Sequence, residues 1–153
     1  MEIEMRSSAS GSPPRKRVRR VLGRAAVALG AGRREVSVYF CGDRRMADLN
    51  RRWRRRNRPT DVLAFPAGEA GSRFLGDIVI SVPYATRQAR RRRERPSREM
   101  DRLLLHGYLH LLGYDHETDQ GEMEALEARL RKRLGIAELH PGPGTPGTRS
   151  RAR

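Results

Sequence analysis

The chain has 153 residues, enough for one domain with a real core and too few for separate catalytic and binding domains. Its formal net charge is +15, and all but two of its 33 basic residues are arginine, so we expect a polyanionic partner and no membrane-inserting one. Cys41 is the single cysteine, which excludes an intramolecular disulfide, and no apolar run approaches the roughly 20 residues that span a bilayer, so we expect a soluble, cytoplasmic protein.

The first part of the chain alternates strand and helix patterns. Residues 1–5 predict a brief strand, residues 7–16 a linker, and the apolar spacing over 18–29 a first helix that ends at Gly30. The strict alternation of "EVSVYF" over 35–40 predicts a second strand.

A second helix and two further strands follow. Asp43 is placed to cap a helix whose apolar positions Met46, Leu49 and Trp53 recur every three to four residues. We therefore predict that Trp53 belongs to the core. The segments "DVLAFP" and "GDIVIS" then predict two strands that are separated by a glycine-rich stretch.

The second half of the chain is predicted to be helical. Ser81 opens a third helix, and Ser97 is placed to cap a fourth, which runs into a histidine-rich stretch and stops near Gly113. The spacing of "DQGE" over 119–122 predicts a capping box for a last helix that ends at Gly135.

These elements predict a single domain. Helices packed on a mixed sheet give an α/β (α+β) fold, and residues 1–138 contain all of the elements. Residues 139–153 are rich in Gly, Pro and Arg, so we predict that they form a disordered basic tail.

The stretch "HGYLHLLGYDH" over 106–116 carries the candidate chemistry. His106 and His110 lie one helical turn apart and can bind one metal ion, and Gly113 permits a turn that brings His116 to the same point. The pattern H-x-x-x-H-x-x-G-x-x-H matches the ligand spacing of the metzincin proteases. Three nitrogen ligands leave one position of a tetrahedral zinc ion open, as in a catalytic site. We therefore predict one zinc ion (Zn2+) per chain, held by these three histidines.

The residue after His106 bears on the type of reaction. Metzincins carry at this position the glutamate that acts as general base, and this chain has Gly107. A peptide nitrogen leaves poorly without that proton donor, whereas a phosphodiester needs it less and brings charge that arginine stabilises. A metal-dependent peptide or amide hydrolase stays open as an alternative, as does a non-catalytic RNA-binding factor with a structural zinc ion.

Two arginine-rich runs flank the predicted site. The run over 51–58 has six arginines and no acid, and the run over 87–98 has seven arginines against Glu94. Coding bias contributes to this richness, but the placement favours a groove for RNA or DNA, because guanidinium groups pair with phosphates. The candidate RNA-binding residues are Arg51, Arg52, Arg55, Arg56, Arg58, Arg90 and Arg91.

The chain resembles the YbeY family of bacterial rRNA maturation factors over roughly residues 35–135. The segments that carry the resemblance are "LNRRWRRRNRPTDVLAFP", "LGDIVIS", "HGYLHLLGYDH" and "MEALE". The resemblance implies a small α/β domain with a mostly parallel sheet and a metal site in a cleft. It also implies a zinc-dependent endoribonuclease of single-stranded RNA that acts in 16S rRNA 3′-end maturation and late 70S ribosome quality control. The implied partners are the 16S rRNA precursor and the ribosome.

The same resemblance assigns roles to single residues. It matches the three histidines to the zinc ligands of the family and Arg54 to its active-site arginine, which we expect to bind the scissile phosphate. Asp61 is a candidate to orient a site residue, or else a turn residue at the start of a strand. Asp115 is a candidate to hold a neighbouring imidazole, or else a cap.

Overall fold

The computed structural model describes residues 1–54, 60–69, 71–115 and 119–135. Its helices and strands are, in chain order, β1 (Glu2–Ser7), α1 (Arg15–Leu29), β2 (Glu35–Cys41), α2 (Asp43–Arg54), β3 (Val62–Pro66), β4 (Phe74–Ser81), α3 (Val82–Arg91), α4 (Pro96–Leu111) and α5 (Glu122–Leu134). The predicted tail over 139–153 lies outside the described residues. Within the described part, no helix combines the length and the apolar character that crossing a membrane requires.

The strands form one sheet in the order β1-β2-β4-β3. β1 and β2 are parallel, β2 and β4 are parallel, and β3 pairs antiparallel with β4. The predicted mixed, mostly parallel sheet is therefore confirmed. Parallel neighbours need a crossover connection, and α1 supplies the one between β1 and β2.

Helices cover both faces of this sheet. Val36, Val38 and Phe40 of β2 point into the larger core, as their alternation predicted, and α1 and α4 pack over them. On the opposite face, Cys41 belongs to a smaller core beneath Met46 of α2. Burial raises the pKa of the Cys41 thiol to about 11, which suits a core residue and not a nucleophile.

α4 is the central helix of the domain. From Glu99 to Leu111 every residue is buried except His106 and His110, which are partly exposed. The helix therefore holds the two imidazoles at the surface while the rest of its circumference is fixed by packing. A site on such a helix keeps its geometry because the supporting side chains cannot move independently.

Two helix starts differ from their predictions. α4 begins at Pro96, with Arg95 as its N-cap and no side-chain cap, so Ser97 lies within the first turn. Proline suits that position because its fixed φ is already helical and its missing N–H is not needed there. α5 begins at Glu122, later than the predicted box, although the Asp119 carboxylate accepts the N–H of Met123 (2.9 Å).

Trp53 is not a core residue, contrary to its prediction. Its side chain is 67% exposed, whereas Met46 and Asn50 take the inward positions of α2. The last turn of α2 reaches the outer strand β3, where the Trp53 and Phe65 rings meet edge-on. The spacing of apolar residues shows which of them share one face of a helix. It does not show whether the sheet extends far enough to cover all of them.

Candidate metal centre

The two histidines of α4 face each other. Their Nε2 atoms are 3.1 Å apart, and their ring planes are inclined by 70°. Two nitrogen ligands of one tetrahedral zinc ion, each about 2.0–2.1 Å from it, lie about 3.3 Å apart. His106 and His110 therefore have the spacing that two ligands of a single metal ion require.

Glu127 of α5 lies directly behind His106. Its Oε1 is 2.6 Å from His106 Nδ1, and its side chain is 7% exposed. An ionised carboxylate only accepts hydrogen bonds, so a neutral His106 donates from Nδ1 and keeps the Nε2 lone pair for a metal. A carboxylate in this position orients metal-binding histidines in many proteins.

Glu127 was not among the site residues predicted from the sequence. The available signal was its position in α5, where it lies on the same face as Met123 and Leu130 and is buried like them. An acid on the apolar stripe of a helix needs a buried partner, because an unpaired charge is costly in a core. Here that partner is His106.

The third predicted ligand, His116, lies outside the described residues, so its position stays a prediction. The chain does reverse after α4, since Gly113 has a φ of +98° and the N–H of Tyr114 donates to the carbonyl of Leu109 (3.1 Å). Over the residues that are described, no group of three or more His, Cys, Asp and Glu side chains is placed to hold a metal. His106 and His110 fit two ligand positions of a zinc ion, and the Glu127 carboxylate supports His106 from behind.

Gly107 packs against the sheet. A Cβ at this position would lie 2.8 Å from Ile78 Cγ2, closer than real Cβ atoms approach. A glutamate here, as in a metzincin, would therefore be directed into the core over β4. The chain cannot present a general base from this position without displacing α4.

The two candidate aspartates have different surroundings. The Asp61 carboxylate accepts the N–H of Val62 (2.8 Å) and the side-chain amide of Gln88 (3.0 Å). These contacts hold the start of β3 against α3, and a role of Asp61 in orienting a site residue stays a prediction. Asp115 follows the reversal after α4, and its carbonyl accepts the N–H of Asp119 (3.0 Å). The role of its side chain beside a histidine stays a prediction.

The arginines of α2 share one acid. Asp48 lies 2.8 Å from Arg51, 3.4 Å from Arg52 and 3.5 Å from Arg45, and the hydrogen bond from Arg51 is the main cause of its lowered pKa. Exposed ion pairs of this kind are weak, so the arginines can exchange Asp48 for a phosphate. Outside the described residues lie the other candidates of this run, Arg55, Arg56 and Arg58.

The second arginine run divides into two groups. Arg87 pairs with Asp43 (2.7 Å), and Arg92 pairs with a buried glutamate (3.2 Å), so both have structural roles. Arg90 and Arg91 are exposed at the end of α3 and form no ion pair with the described residues. They remain available for a phosphate.

Trp53 and Phe65 form an aromatic surface at the end of α2. The Trp53 ring meets Phe65 at 6.1 Å between centroids. The carbonyl of Phe65 and the side chain of Leu111 both closely approach Gly76, where a Cβ would lie 2.2 Å and 2.9 Å from them. Because Leu111 follows His110, this chain of contacts links the aromatic surface to the histidine pair.

Known proteins share this sequence and fold. The sequence profile of the endoribonuclease YbeY family matches residues 3–135. An endoribonuclease YbeY from Anaeromyxobacter sp. (strain Fw109-5) is 44% identical over 151 residues, which cover 94% of this chain and 79% of that protein. One from Aquifex aeolicus (strain VF5) is 48% identical over 102 residues, or 65% of this chain and 67% of that protein. A solution structure from Thermotoga maritima has a TM-score of 0.62 at 25% identity and covers 92% of this chain and 99% of its own.

Proposed function

Because the chain belongs to the endoribonuclease YbeY family, we propose that it is a zinc-dependent endoribonuclease that cleaves single-stranded RNA. The observation that carries this proposal is the pair of facing Nε2 atoms of His106 and His110, 3.1 Å apart. Two nitrogens at this separation on a buried helix suit a metal ion that must be held rigidly.

His106 and His110 would hold the zinc ion together with His116. When bound, the ion would act as a Lewis acid on the scissile phosphodiester. Glu127 holds the His106 ring in place and keeps the proton of that ring on Nδ1. Three protein ligands leave one side of the site to the substrate.

RNA would be held by residues at the end of α2. Arg54, the last residue of that helix, is assigned to the scissile phosphate and to the charge that develops in the transition state. Trp53 precedes it and offers an exposed ring on which an unpaired base can stack. Stacking of this kind requires bases outside a duplex, which favours a single-stranded substrate. Further phosphate contacts are assigned to exposed arginines of α2 and α3, Arg51, Arg52, Arg90 and Arg91.

We also propose that the natural substrate is the 16S rRNA precursor. The protein would act in the cytoplasm at the ribosome, in 16S rRNA 3′-end maturation and in late 70S ribosome quality control. The support is the likeness to a family of rRNA maturation factors together with the net charge of +15, which suits a phosphate-rich partner.

Gly107 argues against the alternative of a peptide or amide hydrolase. A residue at this position faces Ile78 and not the histidines, so the base of the metzincins has no equivalent there. The other alternative is a non-catalytic factor with a structural zinc ion. Such a factor would bind RNA without cleaving it, whereas our proposal requires cleavage.

The experiment that tests the proposed site compares Arg54→Ala with Arg44→Ala, which removes an exposed arginine from the first turn of the same helix. We expect Arg54→Ala to keep its zinc and to lose about 100- to 1000-fold in RNA cleavage, since a group that stabilises transition-state charge is removed. Arg44→Ala should stay near the wild-type rate. Equal rates for the two variants, or loss of zinc from Arg54→Ala, would contradict the assigned role.

A further inference from the structure

α1 carries an exposed basic face with no acid on the helix. Its sequence, "RKRVRRVLGRAAVAL", contains six basic residues. The apolar residues of its first three turns, Val18, Val21, Leu22, Ala25 and Ala26, are buried in the core, whereas Val27 near its end is exposed. Four exposed cations in the first two turns of α1 form no ion pair with the described residues: Arg15, Lys16, Arg19 and Arg20. Together with the residues defined next, they form what we name the α1 surface.

The turn between α3 and α4 continues this face. A depression of about 470 Å³ lies between the two segments and is lined by Lys16 and Arg20 on one side and by Pro96 and Ser97 on the other. The exposed cations of this turn and of the first turn of α4, also without an ion pair in the described part of the chain, are Arg93, Arg95 and Arg98. The α1 surface therefore gathers cations from two separate parts of the sequence.

The α1 surface is rigidly attached to the histidine helix. Arg17 of α1 forms an ion pair with Asp101 of α4 (2.7 Å). Its Nε and Nη2 atoms donate to the two oxygens of the carboxylate. Ser97 and His110 lie on the same helix, thirteen residues and roughly 20 Å apart at 1.5 Å per residue. The surface therefore lies at a fixed distance from the candidate metal centre and is not part of it.

The cations of the α1 surface differ from those of α2 in how many of them pair with an acid. Three arginines of α2 share the carboxylate of Asp48. Between Arg15 and Arg20 of α1, the ion pair of Arg17 with Asp101 is the one formed with the described part of the chain. Unpaired arginines repel one another, and a polyanion removes that repulsion and releases its own counterions. The α1 surface thus carries unpaired positive charge at a distance from the metal centre.

We propose that the α1 surface binds the phosphate backbone of the RNA substrate several nucleotides away from the cleaved bond. This inference rests on the proposed endoribonuclease function and adds a second contact region to it. A single-stranded RNA that reaches from the histidines to the α1 surface needs roughly six nucleotides at 3.4 Å each. Short RNA therefore contacts the metal centre alone, and longer RNA contacts both regions.

The surface presents cationic groups, which are suited chiefly to phosphates. Its exposed groups are guanidinium and ammonium, which contact phosphates irrespective of sequence. It should therefore increase affinity for long RNA without selecting a cleavage site. A partner membrane is disfavoured because the apolar residues Val18, Val21 and Leu22 of α1 are buried and cannot insert.

The test uses the full chain and the triple variant Lys16→Ala, Arg19→Ala, Arg20→Ala. The matched control removes three exposed cations from α5 by Arg129→Ala, Lys132→Ala, Arg133→Ala. Fluorescence anisotropy measures the affinity for two labelled single-stranded RNAs, one of about four nucleotides and one of about thirty, and also for polyglutamate. Cleavage of both RNAs is followed in parallel, so a failure of the proposed function is seen separately as absence of turnover in the wild type.

We expect the α1 variant to bind the long RNA about tenfold more weakly and the short RNA as the wild type does. The slope of log affinity against log salt for the long RNA should fall by about 2, since three phosphate contacts contribute about 0.7 each. The α5 control should keep both affinities. Equal losses on the two RNAs, no loss on either, an equal loss in the control, or an equal loss for polyglutamate would overturn the proposal.

Discussion

At the residue scale, Glu127 determines how His106 can bind a metal. The carboxylate accepts from Nδ1 at 2.6 Å and so directs the other nitrogen toward His110. We expect Glu127→Ala to weaken zinc binding about 10- to 100-fold, because the ring loses its orientation. Glu127→Gln should lose less, since its amide oxygen can still accept from Nδ1.

Competition with a chromophoric zinc chelator measures this effect without any RNA. The matched control is Glu124→Ala, which removes an exposed acid from the same helix and should leave the affinity unchanged. If Glu127→Ala binds zinc as tightly as the wild type does, the carboxylate has only a structural role.

Trp53 gives a second residue-scale prediction, and it is the single tryptophan of the chain. Its fluorescence should be quenched when single-stranded RNA binds to zinc-free protein. Trp53→Ala should weaken RNA binding by about 1–3 kcal/mol, the usual contribution of one stacked base, and Trp53→Phe should retain most of the affinity. The fold should be unaffected, because the side chain is 67% exposed. Unchanged fluorescence together with unchanged affinity in Trp53→Ala would show that RNA does not contact this ring.

At the scale of elements, the approach of α4 to β4 depends on Gly107. A methyl group there would lie 2.8 Å from Ile78 Cγ2, so Gly107→Ala must push the helix off the sheet. We expect a loss of about 1–3 kcal/mol in the free energy of unfolding, as for other overpacked cores. Urea unfolding measures it.

Gly23→Ala in α1 is the matched control for this change. A Cβ at Gly23 has no neighbour within 4 Å, so the variant should gain up to about 1 kcal/mol from helix propensity. A Gly107→Ala protein that is as stable as Gly23→Ala would contradict the close packing of α4 on β4.

Most elements could be predicted because their signals are local. The alternation of Val36, Val38 and Phe40 depends only on the side-chain period of a strand, and the ends of α1 and α5 at Gly30 and Gly135 depend on the left-handed backbone that glycine adopts. The exposure of Trp53 could not be predicted, because it depends on the lateral extent of the sheet. The pairing of Glu127 with His106 could not be predicted either, because it joins two helices and a local sequence pattern describes only one helix at a time.

At the scale of the whole molecule, the chain combines a rigid metal-binding helix with a strongly basic exterior. From Glu99 to Leu111, α4 is buried except at His106 and His110, so the fold exposes part of the two imidazoles. Unpaired cations lie on α1 and on the turn before α4, about 20 Å along that helix from the histidines at 1.5 Å per residue. This division suits an enzyme that cuts at one point and holds a long polyanion elsewhere.

Cleavage of end-labelled single-stranded RNA by four preparations of the full chain would test most directly whether the two helical histidines form a catalytic zinc site. They are the purified protein, the chelated protein, the chelated protein with zinc restored, and His110→Ala. We predict cleavage that disappears on chelation, returns with zinc and is absent in His110→Ala, because the facing Nε2 atoms of the two helical histidines would both be needed to hold the ion. Cleavage that persists in the chelated protein and in His110→Ala would contradict the account, as would intact RNA in the zinc-loaded wild type.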